Sequence, residues 1–375
     1  MDHSVLLRRR RTWPLYALVI GAGLLAILWT SLWFHASGVA QETLKGWFER
    51  EAKAGRIYSC GSQSIGGFPI RIEVRCQPAA MEWRSLQPTV FVKAAGLLVA
   101  AQVYQPSLLI SEFTGPLTMG EADGKLNFIA DWKLLQTSVQ GGPVMPQRVS
   151  IVIDRPSFDR FTAGGQETLF RATHAELQGR IVEGSAIDNP IVDLALRLTG
   201  ATAPTINPLT AQPFDADVTF VLRGLKDFSA RPWPERFREI QAAGGRIDIT
   251  HARAQQGESI ALATGSLALT PTGYLDGQLL VTVAGLDRLL PALGLERLAQ
   301  PGGSVDRLAG QLDRFIPGLG NIARERAAPS IAAGIGLLGE QTQLEGRRAV
   351  ILPLRINNGA MFLGAVPVGQ INPLF

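Results

Sequence analysis

Charge is absent from one long stretch of this sequence. Between Trp13 and Phe34 there is no Asp, Glu, Lys, Arg or His. Other functional groups are scarce too. The chain has four histidines and two cysteines. His3 precedes the uncharged stretch and His35 borders it, which leaves His174 and His251 for the rest. No HExxH occurs, so the helical zinc site of a metalloprotease is excluded, and isolated histidines read as surface or core groups. No GxSxG nucleophile elbow occurs; Ser62 and Ser64 lie near Gly66 but at the wrong spacing. No Walker motif occurs. Gly334-Ile-Gly336-Leu-Leu-Gly339 fits GxGxxG. The segment before it, Arg324–Ala333, reads as helix or loop rather than the strand a dinucleotide site needs, so Leu337 and Leu338 read as core contacts. Asp154 and Asp159 flank Pro156 and read as a turn with solvated acids rather than an acid–base pair. The sequence therefore assigns no catalytic, cofactor-binding or metal-ligating residue, and the expectation is a protein that is not an enzyme.

An excess of basic charge is also missing where it would matter. Arg8, Arg9, Arg10 and Arg11 less Asp2 account for +3 of the net +4, so +1 remains for everything after Phe34. The pI of 9.3 thus reflects a short basic tail. A nearly neutral remainder excludes nucleic acid as a partner, because phosphate binding needs clustered cations.

What is present starts with the uncharged run itself. Its roughly 22 residues span about 33 Å as a helix, close to the hydrocarbon thickness of a bilayer. Arg8–Arg11 stay on the cytoplasmic side, so all that follows Phe34 is expected across the membrane. Trp13, Trp29 and Trp33 mark the two ends of the run, as interfacial aromatics do. The alternative is a cleaved signal peptide, with small residues Gly38-Val39-Ala40 before the cut; the run exceeds the usual 7–15-residue apolar core of such peptides. The expected layout is a cytoplasmic tail (1–12), a transmembrane helix (13–34), a membrane-proximal helix (35–59) and a periplasmic β-rich domain (60–375), the last either one unit or divided into 60–225 and 245–375.

Cys60 and Cys76 fall on the outer side. In an oxidising compartment they form a disulfide candidate, and Gly66, Gly67 and Pro69 allow the chain to return between them. Two free thiols or a metal pair are the alternatives; no nearby His or CxxC spacing favours a metal.

The rest reads mainly as strands. Phe68, Ile70, Ile72 and Val74 alternate with Pro69, Arg71, Glu73 and Arg75, a half-buried strand supplying core or groove wall. Further candidates are Pro88–Lys93, Leu97–Tyr104, Lys125–Lys133, Arg148–Asp154, Ile191–Leu198 and Asp217–Leu222. Asp123-Gly124, Asp276-Gly277 and Asn358-Gly359 are expected hairpin turns. Gly115-Pro-Leu-Thr-Met and Gly265-Ser-Leu-Ala-Leu precede the first two and read as two ordinary hairpins or a weak repeat. Leu44, Trp47, Phe48 and Ala52 fit a helix that Gly55 closes. Ser229 is an expected cap for a helix from Pro232, with Trp233, Phe237 and Ile240 on one face and Gly244 past its end. Val305, Leu308, Ala309, Leu312, Phe315 and Ile316 form the stripe of a helix that packs on a sheet or lies on a membrane surface.

Gly67-Phe68-Pro69-Ile-Arg-Ile-Glu-Val after an N-terminal anchor resembles a bacterial family of uncharacterised single-pass envelope proteins, a domain of unknown function. Gly265-Ser-Leu-Ala-Leu through Leu275-Asp-Gly-Gln-Leu to Gly285-Leu-Asp-Arg-Leu-Leu fits it, as does the tail from Leu352-Pro-Leu-Arg through Gly359-Ala-Met-Phe-Leu-Gly to Pro373-Leu-Phe. The matching motifs are turns and strand edges, and they carry no catalytic residue across. The architecture is more distantly similar to AsmA-like envelope proteins, which implies lipid transport or envelope homeostasis by analogy.

The fold expected is mainly β with accessory α-helices: large curved antiparallel sheets behind an N-terminal transmembrane helix. The expected function is binding of an apolar or lipidic envelope component, or support of envelope assembly, at the inner membrane. A scaffold that recruits another envelope protein through a free strand edge is the alternative, and a hydrolase the third. The oligomeric state is not legible.

Overall fold

The computed structural model describes residues 13–121, 126–141, 145–206, 208–229, 231–286, 339–363 and 366–375. Arg8–Arg11, the Asp123-Gly124 turn, the Val305–Ile316 stripe and the GxGxxG match up to Leu338 lie outside these residues.

Helix α1 runs from Trp13 to Lys53 without a break. The separate helix expected over 35–59 is the continuation of the first, and it ends earlier. Gly55, at φ +79, turns the chain out, and Arg56 already begins a strand. Among the described residues nineteen strands follow in one sheet, and every pairing between them is antiparallel. They are β1 (Arg56–Gly66), β2 (Arg71–Trp83), β3 (Val90–Gln102), β4 (Gln105–Glu121), β5 (Leu126–Asp131), β6 (Leu134–Gln140), β7 (Arg148–Asp154), β8 (Ser157–Thr162), β9 (Gly165–Arg171) and β10 (His174–Ser185). Then come β11 (Asp188–Ala201), β12 (Phe214–Leu222), β13 (Arg246–Gln256), β14 (Ser259–Leu269), β15 (Leu275–Ala284), β16 (Glu340–Leu344), β17 (Arg347–Asn357), β18 (Ala360–Leu363) and β19 (Val366–Gln370). Helix α2 (Trp233–Ala242) sits between β12 and β13. The sheet crosses that interval unbroken, with Leu222 opposite Ile247.

The strand path is a meander. β5 and β6 are one line along β4, since Ala130 lies opposite Leu117 and Leu135 opposite Phe113. β8 continues β7 in the same way, and β9 leads into β10. The interruptions in these lines fall side by side: Gly115 in β4, Trp132 between β5 and β6, Arg155-Pro156 between β7 and β8, Ala172-Thr173 between β9 and β10, and Gly200 in β11. The sheet is creased along this transverse row. Each position has a local cause. Pro156 has no N–H to give to a neighbour. Trp132 Nε1 donates to Phe113 O at 2.8 Å, which plants the indole in the crease. At Gly115 an added Cβ would lie 2.5 Å from Asp131 Oδ1, so any larger residue makes the Asp131 side chain move. Local breaks of this kind bend a sheet and increase its twist.

Several expectations are met in detail. Arg148–Asp154 is β7 to the residue. Asn358-Gly359 is a two-residue turn, with φ of +46 and +78 and Asn357 opposite Ala360. Others are corrected. Pro88–Lys93 and Leu97–Tyr104 belong to one strand, β3, with a register shift between Ala94 and Gly96. Asp276-Gly277 lies inside β15, because Gly277 serves close packing: a Cβ there would sit 2.2 Å from Ser266 O. The chain turns earlier, where Thr270 Oγ1 accepts the Tyr274 N–H at 3.1 Å. Ser229 does not cap α2. Its hydroxyl and N–H both donate to Asp227, and Pro232 takes the N-cap position.

Candidate functional site

Cross-strand partners share a face of a sheet, so the register identifies which residues lie together. One row runs from Ile72 through Ala101, Leu109, Val139, Val149 and Gly179. It continues through Leu194, Phe220, Ile249, Gly265, Leu279, Leu354 and Leu363. No member is polar. At ~4.8 Å per strand the row is roughly 60 Å wide. The next row on one side, Ile181, Val192, Leu222, Ile247, Leu267, Gly277 and Ile356, is also apolar. On the other side lie Val74, Val99, Ser111, Thr137, Ile151 and Leu177, apolar except for two hydroxyls. Every residue of the first row is half-buried. That is the exposure of side chains on a bent face with little over it.

The opposite face carries the charge. Arg148, Arg180, Asp193, Asp248, Gln278 and Arg355 lie in one of its rows. Ion pairs link neighbouring strands, Arg180–Asp193 at 2.8 Å and Arg197–Asp217 at 3.0 Å, while Arg253 of β13 reaches Glu345 in the β16–β17 turn at 2.9 Å. Burial works against ionisation of Asp248, but bonds from Ser266, Arg246 and Arg223 outweigh it and hold the carboxyl below its usual range. Such pairs add little stability, because at least one partner of each is well exposed to solvent.

Part of the apolar face is covered by α2. Ile240 and Phe237 pack on Val192, Leu194, Leu222, Leu225 and Leu269. Trp233 stays exposed and stacks on Phe237 at 5.8 Å. A buried ionic knot ties α2 to the segment after β12. Glu239 Oε1 accepts the Lys226 N–H at 2.9 Å and Arg236 Nη1 at 2.7 Å; Glu239 Oε2 accepts Arg231 Nη1 at 2.9 Å. Arg236 also donates to the Asp227 and Ser229 carbonyls. Asp227 is held below the usual carboxylate range, first by the Ser229 hydroxyl, then by the Ser229 N–H, Arg231 and Arg236. Beside this knot a recess of about 220 Å³ opens on the apolar face, lined by Val149, Ile181, Leu194, Leu222, Leu225 and Phe228 among others. Drug-sized ligand pockets run from about 300 Å³ upward. The recess is therefore smaller than a pocket of that kind.

The residues singled out in the sequence divide between two places. Ile72 and Val74 stand on the apolar face. Phe68 and Ile70 do not: Gly67, at φ +97, and Pro69 put them in the β1–β2 turn, both more than half exposed. Cys60 and Cys76 are bonded, with Cα atoms 5.4 Å apart, and join β1 to β2 at the level of the crease. His174 Nδ1 lies 2.7 Å from Asp154 Oδ1 across β10 and β7, a pairing that neither residue's sequence neighbours signal. Asp159 is buried rather than solvated. Its Oδ2 accepts Gln166 Nε2 at 3.1 Å, and Arg171 Nη2 lies 3.8 Å from Oδ1. Among the described residues no group of three or more His, Cys, Asp or Glu could hold a metal ion.

Helix α1 contains an apolar stretch long enough to cross a membrane. A family model described as "Uncharacterized protein conserved in bacteria (DUF2125)" matches residues 33–372, nearly all of the chain beyond that stretch, and the chain belongs to this family. The match does not extend to the AsmA-like proteins that the architecture suggested. No curated protein matches the chain.

Proposed function

We propose that this protein is a membrane-anchored, non-catalytic binder of apolar, lipid-like molecules of the bacterial cell envelope. The observation that carries the reading is the apolar row unbroken over thirteen strands, flanked by further apolar rows and covered among the described residues chiefly by α2. A soluble β-domain ordinarily covers such a face with a second layer, since exposed apolar patches above a few hundred Å² mark binding sites. A ligand laid along the rows gains roughly 25 cal/mol for each Å² of apolar area withdrawn from water.

The contacts of α1 with the sheet support the anchored form of this reading. Its last apolar turns carry Trp33, which is buried against the first hairpin, and the helix passes Ala40 without interruption. On this reading the Arg8–Arg11 cluster favours a cytoplasmic N-terminus and a periplasmic sheet at the inner membrane. The disulfide suits that compartment.

The test is lipid recovery from the full chain purified in detergent, compared with a single-pass membrane protein of similar size. Co-purifying lipid is expected above the control, and Leu194→Glu is expected to remove the excess while the Cys60–Cys76 bond still forms. Recovery at the control level for the unaltered protein sinks the binding reading and leaves a scaffold acting through its strand edges.

A further inference from the structure

We infer that the tip of the first hairpin is seated in the headgroup layer of the bilayer, so that the sheet stands on the membrane at a fixed height. The inference rests on α1 being a membrane anchor. β1 turns back from the end of α1 and runs along it. Arg56 pairs with Glu51 at 2.5 Å, Tyr58 lies against Trp47 at 4.7 Å, and at the far end Phe68 meets Trp33 edge-on at 5.5 Å. Two hydrogen bonds fix the level of the tip. Trp29 Nε1 donates to Pro69 O and Trp33 Nε1 to Arg71 O, each at 2.8 Å. Both tryptophans belong to the uncharged run, within about 8 Å of its end at 1.5 Å per residue. Wherever that run meets the headgroups, the hairpin tip is there too.

The chemistry of the tip fits that depth. Phe68 is 54% exposed, Ile70 57% and Tyr104 68%. Tyr104 belongs to the adjoining β3–β4 turn, where the Val103 N–H donates to Ile70 O at 3.1 Å. Single exposed apolar residues need no explanation. Here three project at one end of the sheet, beside two tryptophans of the anchor. Aromatic rings with a polar edge favour this layer of a bilayer. Cations stand just behind them: Arg71 and Arg75, more than half exposed, flank the buried carboxylate of Glu73 at 2.5 and 2.7 Å. Their outer N–H groups are placed where lipid phosphates would lie. The occupant is therefore the bilayer itself, with anionic phospholipid favoured.

Depth measurements on the full chain test this. The two native cysteines are bonded, so one added cysteine takes a fluorescent label uniquely. Ile70→Cys, Tyr104→Cys, Leu25→Cys in the anchor and Gln178→Cys on the charged face are labelled and reconstituted in phosphatidylethanolamine–phosphatidylglycerol vesicles. Intact Cys60–Cys76 pairing, checked by mass mapping, certifies each variant. Labels at 70 and 104 are expected to be quenched by lipids carrying a shallow nitroxide, shielded from aqueous iodide, and blue-shifted relative to 178. Quenching by iodide at either position to the extent seen at 178, with 25 quenched by lipid, overturns the seating and leaves the anchor intact. Failure of lipid quenching at 25 removes the anchor reading, and this inference with it.

Discussion

Replacing Glu239 by Ala tests whether the ionic knot holds α2 on the sheet. The carboxylate is 5% exposed and accepts three N–H groups, from Lys226, Arg231 and Arg236. Arg236, 9% exposed, would keep only the Asp227 and Ser229 groups as partners. Arg231 would lose little, because it is more exposed and retains Asp227. Removing one partner of a buried ion pair costs about 3–5 kcal/mol, mostly from the charge left behind. The two carbonyls that remain for Arg236 put the expected cost at the low end, about 3 kcal/mol. Arg236→Met combined with Glu239→Leu should cost less than Glu239→Ala alone, since no charge is then stranded. Two readouts separate local from global effects. Hydrogen exchange at the Lys226 amide should accelerate, because its acceptor is gone. The thermal midpoint should fall by about 5 °C, since ~3 kcal/mol is divided by an unfolding entropy of ~2.1 cal/mol/K per residue over roughly 300 residues. A Lys226 amide that stays protected, with an unchanged midpoint, would refute the idea that the knot secures α2.

Two further outcomes are expected. Cys60→Ser should lower stability by about 3 kcal/mol, as the loop-closure argument gives for a loop of this size, and a variant as stable as the parent in non-reducing urea titration contradicts it. Asp227 contributes stability that is fully present above the ordinary Asp range and is lost as pH falls through its lower folded value. Trp233 fluorescence should therefore report loosening of α2 only below about pH 4, and Asp227→Asn should abolish that step. A transition near pH 6 assigns the event to another group.

Local signals were legible in the sequence, and long-range ones were not. Short β-favouring runs bounded by turn residues located β7, and most of β11 and β12. Asn358-Gly359 declared its turn because few residues accept two successive positive φ angles. Cys60 and Cys76 declared their bond as an isolated pair with a chain reversal between them. By contrast, Asp276-Gly277 has the same composition as a turn but sits mid-strand, where the glycine answers to the Ser266 backbone eleven residues away. Phe68 and Ile70 continue the alternation of Ile72 and Val74, yet Gly67 and Pro69 turn the chain under them. The apolar rows depend on the register of thirteen strands at once. Register is set by pairing partners, and no local window contains it.

The meander also bears on how the molecule comes to be. Nearly every strand line is hydrogen-bonded to the line made just before it, so few pairings wait on distant sequence. A chain delivered N-terminus first, with α1 already lodged, could zip its sheet in order of arrival, one line upon the last. Among the described residues the order breaks once, between β15 and β17, where Ala284 must find Ala349. Closure across that interval is then the slow step, and until it happens β15 stands as an unpaired edge, the point at which a nascent molecule is most open to capture by a chaperone or by another copy.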